Sequence, residues 1–250
     1  MSITTQVFTK VVSHLKTLHD TMQPAIEQAA AIIAEQVKQD KLVYAYGPGG
    51  HSNLGSQEIF FRAGGLMHIN AILDEGTLLS GGALRSMAVE RLPGYGRIVM
   101  QDSGIKQGDV LILINAYGIN AATIDAALYA KENGITVIAV TSVKHAESTS
   151  DDHPARHPSK QNLCQLADIV LDCGVPVGDA IIDIEGLEQK VGAISTFANA
   201  FLLNALIAET VHILVQAGVT PPIWMSGNMA GGDEANARFI SRFKHRIQKL

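Results

Sequence analysis

Leu42-Val43-Tyr44-Ala45-Tyr46-Gly47-Pro48-Gly49-Gly50-His51-Ser52-Asn53 is the stretch from which the fold can be read. A short apolar run, Leu42 to Tyr46, gives way to a glycine-rich turn and then to a helical stretch carrying Gln57, Glu58 and Arg62. This strand, turn and helix succession is the opening of a βα unit. Four more apolar runs follow: Leu66 to Leu73, Val110 to Asn115, Ile135 to Thr141 and Ile169 to Leu171. Each is continuous rather than alternating, as expected for strands covered by helices on both faces. Ala121 to Asn133, closed by Gly134, is the clearest crossover helix. The expected fold is therefore α/β, three layers in αβα order around a parallel sheet of about five strands, with extra helices at both termini.

The flanks are read by helical period. Phe8, Val11, Val12, Leu15, Leu18 and Met22 make one apolar stripe, and Ile26, Ala29, Ala30, Ile33 and Val37 make another after Pro24, which predicts two N-terminal helices. Such helices dock either on their own sheet or on a neighbouring subunit. Lys144 to Lys160 is polar and aperiodic and reads as a long loop. Val191 to Gln216 predicts a helix that is apolar almost all round. Asn199, Asn204, Glu209 and His212 within it would be costly in hydrocarbon, so a buried helix is expected rather than a membrane span. Thr220-Pro221-Pro222 breaks the chain, and Arg238 to Leu250 is expected to close it as a basic helix. At 250 residues, length does not demand two domains. One domain is expected, with N-terminal helices in 1–40, the parallel core in 41–172 and a helical part in 173–250.

Composition limits the function classes. With 47% hydrophobic, 17% charged and 5% aromatic residues, the chain is neither disordered nor a typical β-sandwich. A net charge of −5 offers no general attraction for nucleic acid or anionic lipid, so an anionic ligand must be held by local geometry. Cys164 and Cys173 are too few for a disulfide framework and lack zinc-site spacing, and are expected to be reduced, buried thiols. No secretory signal is evident at the start, which points to the cytoplasm.

Two turns carry the chemistry. In Gly47 to Asn53, Gly49 and Gly50 let backbone N–H groups approach a ligand, and the following helix N-terminus favours an anion. Ser52 stands where a dinucleotide fingerprint needs its third glycine, although Asp74 after the second strand keeps a weak nicotinamide reading open. A glycine turn without a ligand is the plainer alternative. Asn115-Ala116-Tyr117-Gly118-Ile119-Asn120 follows the strand Val110 to Ile114 and opens the helix at Ala121, a second candidate nest. Both turns lie at strand carboxyl ends, where open α/β sheets bind ligands.

This order of strands and turns, with Ser52 in the first turn, Asn115 to Asn120 in the second and Thr141-Ser142 after the next strand, resembles the sugar-isomerase (SIS) fold, a flavodoxin-like arrangement, over about Leu42 to Leu171. Over nearly the full length, Gly49-Gly50-His51-Ser52, Arg62 to Leu66, Ala167 to Val170, Gly178-Asp179-Ala180, Ser195-Thr196, Ser226-Gly227-Asn228 and Gly232 to Asn236 look like an uncharacterised SIS subfamily named for the phosphoheptose isomerases. The resemblance implies a phosphorylated sugar as ligand, no organic cofactor, and a homodimer or homotetramer. It implies substrate contacts from Gly49, Gly50, Ser52, Asn53, Asn115, Ala116, Tyr117, Gly118, Asn120 and Ser195. His153 and His157 have the i,i+4 spacing of a metal pair, but the prolines around them argue against the helix that would align both rings, so no obligatory metal is expected. The family usually carries Ser-x-Ser-Gly-x-Ser/Thr at the second turn, where this chain has Asn115, Tyr117 and Asn120.

An aldose–ketose isomerase needs a base to move a proton between neighbouring carbons and an acid at the oxygens. Glu58 is the first candidate for the base, one turn short of the glutamate that phosphoheptose isomerases place on the similar helix. The plainer reading pairs Glu58 with Arg62 at i,i+4 spacing. His51 is the candidate acid or phosphate donor, or a structural turn histidine. His145, His153 and His157, with Arg156 and Lys160, read first as plain surface loop and second as a cover over an anion. Lys190 stands where related proteins often have a glutamate five residues before the serine. Arg238, Arg242 and Arg246 read as a solvated face, with a phosphate or subunit contact as the sharper option. Two functions follow: a phosphosugar isomerase, or a noncatalytic phosphosugar-binding sensor. Ether cleavage or epimerisation of a sugar phosphate is a third chemistry of the same kind.

Overall fold

A computed structural model describes residues Met1–Leu250. Five strands, β1 (Val43–Tyr46), β2 (Ile69–Ile72), β3 (Val110–Ile114), β4 (Thr136–Thr141) and β5 (Ile169–Asp172), form one sheet in the order β2-β1-β3-β4-β5. Every pairing is parallel, with Val43 level with Ile69 on one side and Val110 on the other. All five expected strands are present within one to three residues of the apolar runs, because a strand buried on both faces needs an unbroken run. Alternate residues feed two cores. Val43, Ala45, Ile112, Ile114, Ile138 and Val140 pack against α1 (Ile3–Lys38) and α8 (Ser195–Gln216). Tyr44, Tyr46, Leu111, Leu113, Val137 and Ala139 face α4 (Tyr95–Asp102), α5 (Ala121–Glu132) and the C-terminal helix α9 (Gly232–Phe243). The three αβα layers are those expected. The chain runs from β1 outward to β2 and then back past β1 to β3, so the topological switch point lies between β1 and β3.

The flanks differ from expectation. Ile3–Lys38 is one helix running through Pro24. Proline removes the N–H that would bond the carbonyl of Asp20, but Asp20 and Pro24 are both exposed, so water can serve that carbonyl. Meanwhile Leu18, Ile26, Ala29, Ala30 and Ile33 form one buried seam on either side of it. The reading of Val191 to Gln216 as helix throughout also needs correction: Val191–Ala193 is β7, paired antiparallel with β6 (Ala180–Ile182), and the helix starts at Ser195. That helix is long and apolar enough to cross a membrane, yet Leu202, Leu203, Leu206, Ile207 and Leu214 are buried in the core with α1. Part of the expected loop is a short helix, α6 (Val143–Ser148), and two further helices, α2 (Ser52–Ile59) and α3 (Ala83–Glu90), follow β1 and β2. Of the two free thiols Cys173 is buried, whereas Cys164 is only half-buried.

The closing basic segment is helical over Gly232–Phe243 rather than to Leu250, and its arginines are not a freely solvated face. Arg242 and Arg246 both donate to Asp40 Oδ1, at 2.6 and 3.1 Å, and their guanidinium groups lie over the Phe243 ring. His68 Nε2 is 3.2 Å from the same oxygen, with its ring edge-on to Phe243. Burial pushes the His68 imidazole from 6.5 down to about 4, outweighing the pull of Asp40. A depressed histidine contributes stability that is complete above pH 6.5 and is lost as pH falls toward 4. At about 1.4 kcal/mol per unit, that loss is ~3 kcal/mol. Melting curves between pH 7 and 4 should show it, and His68→Leu should flatten this limb; an unchanged limb in that variant would refute the assignment.

Candidate functional site

A cleft of about 270 Å³ opens beside the switch point, at the small end of ligand sites. Its walls come from the β1 turn (Gly50, His51, Ser52), the β3 turn (Asn115, Ala116, Tyr117, Asn120) and the start of α8 (Ser195, Asn199). The segment after β2 adds Leu79, Ala83, Ser86, Met87 and Glu90, and Asp179 completes it. Eight of the residues expected from the sequence therefore converge: Gly50, His51, Ser52, Asn115, Ala116, Tyr117, Asn120 and Ser195.

The two turns differ in what they can offer. Gly50 and His51 at the head of α2 donate their N–H groups to no acceptor within the chain. These donors, with the helix N-terminus behind them, form a place for an anion. In the β3 turn, by contrast, Asn115 Oδ1 accepts the N–H groups of Tyr117 (3.1 Å) and Gly118 (2.8 Å). Its Nδ2 donates to Pro48 O (3.2 Å) and approaches Ser52 Oγ (3.4 Å). Asn115 thus locks the turn onto the β1 loop, and its amide is spent inside the protein.

Four expected site residues do not line the cleft. Asn53 is fully buried and donates to Gly49 O and Thr77 O, which holds the first turn from behind. Gly49 has φ +112, where a side chain would be strained and would strike Glu90 Oε2. Gly118 has φ +63, with Thr141 Oγ1 crowding the place of a Cβ. Glu58 lies on the α8 side of α2, where it accepts from Asn204 Nδ2 (3.0 Å) and pairs with Arg62 (3.4 Å). The i,i+4 ion pair is the reading the geometry supports for Glu58 in this chain, because its direction along α2 points it away from the cleft.

Two carboxylates do line the cleft. Asp179, held at φ +65, accepts Ile194 N, Ser195 N and Ser195 Oγ at 3.0, 2.8 and 2.6 Å, and so caps α8 and aims its first turn. Glu90, at the end of α3, makes no hydrogen bond, and burial raises its carboxyl to about 7, the neighbouring Arg91 offsetting only part of this. Tyr117 is stacked on His145, ring centroids 4.3 Å apart, and feels both carboxylates; burial and their charges raise its hydroxyl. No lysine or arginine lines the cleft. Glu90 was not singled out from the sequence. The available signal was topological: the segment after β2 leaves a strand carboxyl end next to the switch point, so its helix must pass the same cleft.

The histidine loop closes on itself. Arg156 donates to Ser150 O, Ala146 O, Thr149 O and Asn162 Oδ1, and its backbone bridges to Asn120. His157 Nε2 meets Asp125 Oδ1 at 3.2 Å, and His153 Nδ1 accepts from Ala155 N. These groups tie the loop to α5 rather than covering an anion. Lys190 pairs with Asp183 at 3.3 Å, away from the cleft.

An open parallel sheet with its cleft at the switch point, walled by glycine-rich and amide-rich turns, is the arrangement in which α/β proteins hold small ligands. The chain belongs to the SIS domain family, whose model it matches over residues 6–142. It is 37% identical over 248 residues to the UPF0309 protein of Brucella canis, covering 99% of each chain, and to the same degree to that of Brucella melitensis biotype 2. Among solved structures, the phosphoheptose isomerase GmhA of Neisseria gonorrhoeae superposes with TM-score 0.54 at 17% identity, covering 82% of this chain and 94% of that one. The NanR protein of Vibrio vulnificus, complexed with ManNAc-6P, superposes with TM-score 0.50 at 15% identity, covering 99% and 71%. These likenesses show a shared fold.

Proposed function

We propose that the chain binds a phosphorylated sugar in this cleft and interconverts its aldose and ketose forms. The observation that carries the reading is the juxtaposition of the unpaired N–H groups of Gly50 and His51 at the head of α2 with a carboxyl-lined cleft at the switch point. In this reading Gly50, His51 and Ser52 hold the phosphate, while Asn120, Ser195 and Asn199 face the sugar hydroxyls. Asn53, Gly49, Gly118 and Asn115 support it from outside the ligand. The protein works in the cytoplasm as a single-domain subunit of a homodimer or homotetramer, without an organic cofactor. The fold shared with a phosphoheptose isomerase supports the reading.

A noncatalytic phosphosugar sensor is the second reading. It is favoured by Asn115, which occupies two N–H groups of the β3 turn, and by the lack of a lysine or arginine on the cleft wall. One experiment separates the two. A panel of C5 to C7 sugar phosphates and amino-sugar phosphates is screened for a rise in melting temperature, because a ligand of the native state stabilises it. The ligand found is then incubated with the protein in deuterated water. Deuterium at the carbon beside the carbonyl, with a new sugar formed, is the expected result; binding without exchange leaves the sensor, and no shift with any phosphosugar removes both.

A further inference from the structure

We infer that Glu90 is the group that moves the proton between the two carbons of the bound sugar. The inference rests on the phosphosugar reading and adds to it the residue that does the chemistry. Three observations carry it. Glu90 lines the cleft from the end of α3, together with Ser195 and Asn199 from α8. Its Oε2 lies against Gly49, so closely that a side chain there would collide with it, which places the carboxyl beside the β1 turn. Finally, elimination leaves no other carboxylate. The oxygens of Asp179 are taken by Ile194 N, Ser195 N and Ser195 Oγ, and Glu58 is held by Asn204 and Arg62 outside the cleft.

The environment suits the task. A base works best when its pKa is near the working pH, and a half-buried carboxyl without hydrogen-bond partners rises toward that value. Burial brings Glu90 to about 7. The charged and titratable groups around it are Arg91 just after its own helix, His51 on the β1 turn, Tyr117 on the β3 turn and Asp179 beyond β5.

The step balances without a co-reactant. The Glu90 carboxylate takes the proton from the carbon beside the aldehyde. The C–H electron pair becomes the C=C bond of an enediol, while the aldehyde π pair moves to its oxygen, which takes a proton. The neighbouring hydroxyl then loses its proton as its C=O bond forms, and the C=C pair takes the proton back from Glu90 at the former aldehyde carbon. The proton lost by the one oxygen equals the proton gained by the other, so the exchange needs no further donor. One carbon is reduced and its neighbour oxidised, with no net change.

The test compares wild type with Glu90→Gln, which keeps shape and removes the base. The ligand from the melting screen is used, and binding and solvent deuterium exchange are measured separately. Binding should stay within about threefold, while exchange should fall by roughly 10²–10⁴-fold, the usual contribution of a general base. In wild type the exchange rate should rise with pH and level off above about 7, and this limb should be absent from Glu90→Gln. Should the variant fail to fold, the wild-type profile decides: a rate flat between pH 5 and 8 overturns the inference. Exchange retained within tenfold in Glu90→Gln overturns it too, while the phosphosugar reading stands. A wild type that binds no phosphosugar overturns the reading and the inference together.

Discussion

Gly47→Ala is expected to cost at least ~3 kcal/mol and to abolish binding in the cleft, within the range of severe packing errors. Gly47 follows β1, and a Cβ there would run into the carbonyl carbon and oxygen of Ser52 and approach Asn53 N. All three are backbone atoms of the first turn of α2, so no side chain can rotate aside. Relief requires moving the head of α2, and with it Gly50, His51 and Ser52, which form one wall of the cleft. Gly64→Ala is the matched control. Gly64 has φ +84 but open space around its Cβ, so it should lose only about 1 kcal/mol, the conformational cost of a side chain at positive φ. Chemical denaturation of both variants checks the pair, and equal losses would show that the clash at Gly47 relaxes cheaply.

Asn115→Ala is expected to lose about 2–3 kcal/mol, because it removes the amide that joins the β1 and β3 turns. Asn115 is 3% exposed, and the N–H of buried Gly118 would be left without its acceptor. Asn115→Asp separates the two halves of the role. A carboxylate can still accept from Tyr117 and Gly118, but it cannot donate to the carbonyl of Pro48 and meets that oxygen with like charge. The β3 turn should then survive while the link to the β1 loop opens, so affinity for a phosphosugar should fall further than stability does. Denaturation midpoints and ligand-induced melting shifts measure the two effects. A variant with wild-type values for both would leave Asn115 without the linking role.

The core of the fold was legible for a simple reason. A strand buried on both faces requires an unbroken apolar run, and Val110–Ile114 and Thr136–Thr141 are such runs wherever the rest of the chain goes. The same is true of the β1 turn, where Gly47 and Gly49 are demanded by close backbone approach and positive φ. Pro24 misled because a local rule for helix breaking ignores a tertiary seam that runs past it. Arg242 and Arg246 misled for the same reason: their partner, Asp40, is some 200 positions away. Glu58 and Glu90 show the limit at the site itself. Both are glutamates on short helices after strands, and nothing local distinguishes them.

By itself, then, the sequence determined the parallel α/β layering and the two turns that wall the cleft, since both rest on local periodicity and on backbone conformations only glycine adopts readily. The tertiary structure alone decided which side chains meet in the cleft. It turned Glu58 toward α8, brought Glu90 against Gly49, and set Asp179 to cap α8. Those outcomes depend on helix direction and on burial by distant segments, and such burial is also what raises the Glu90 carboxyl.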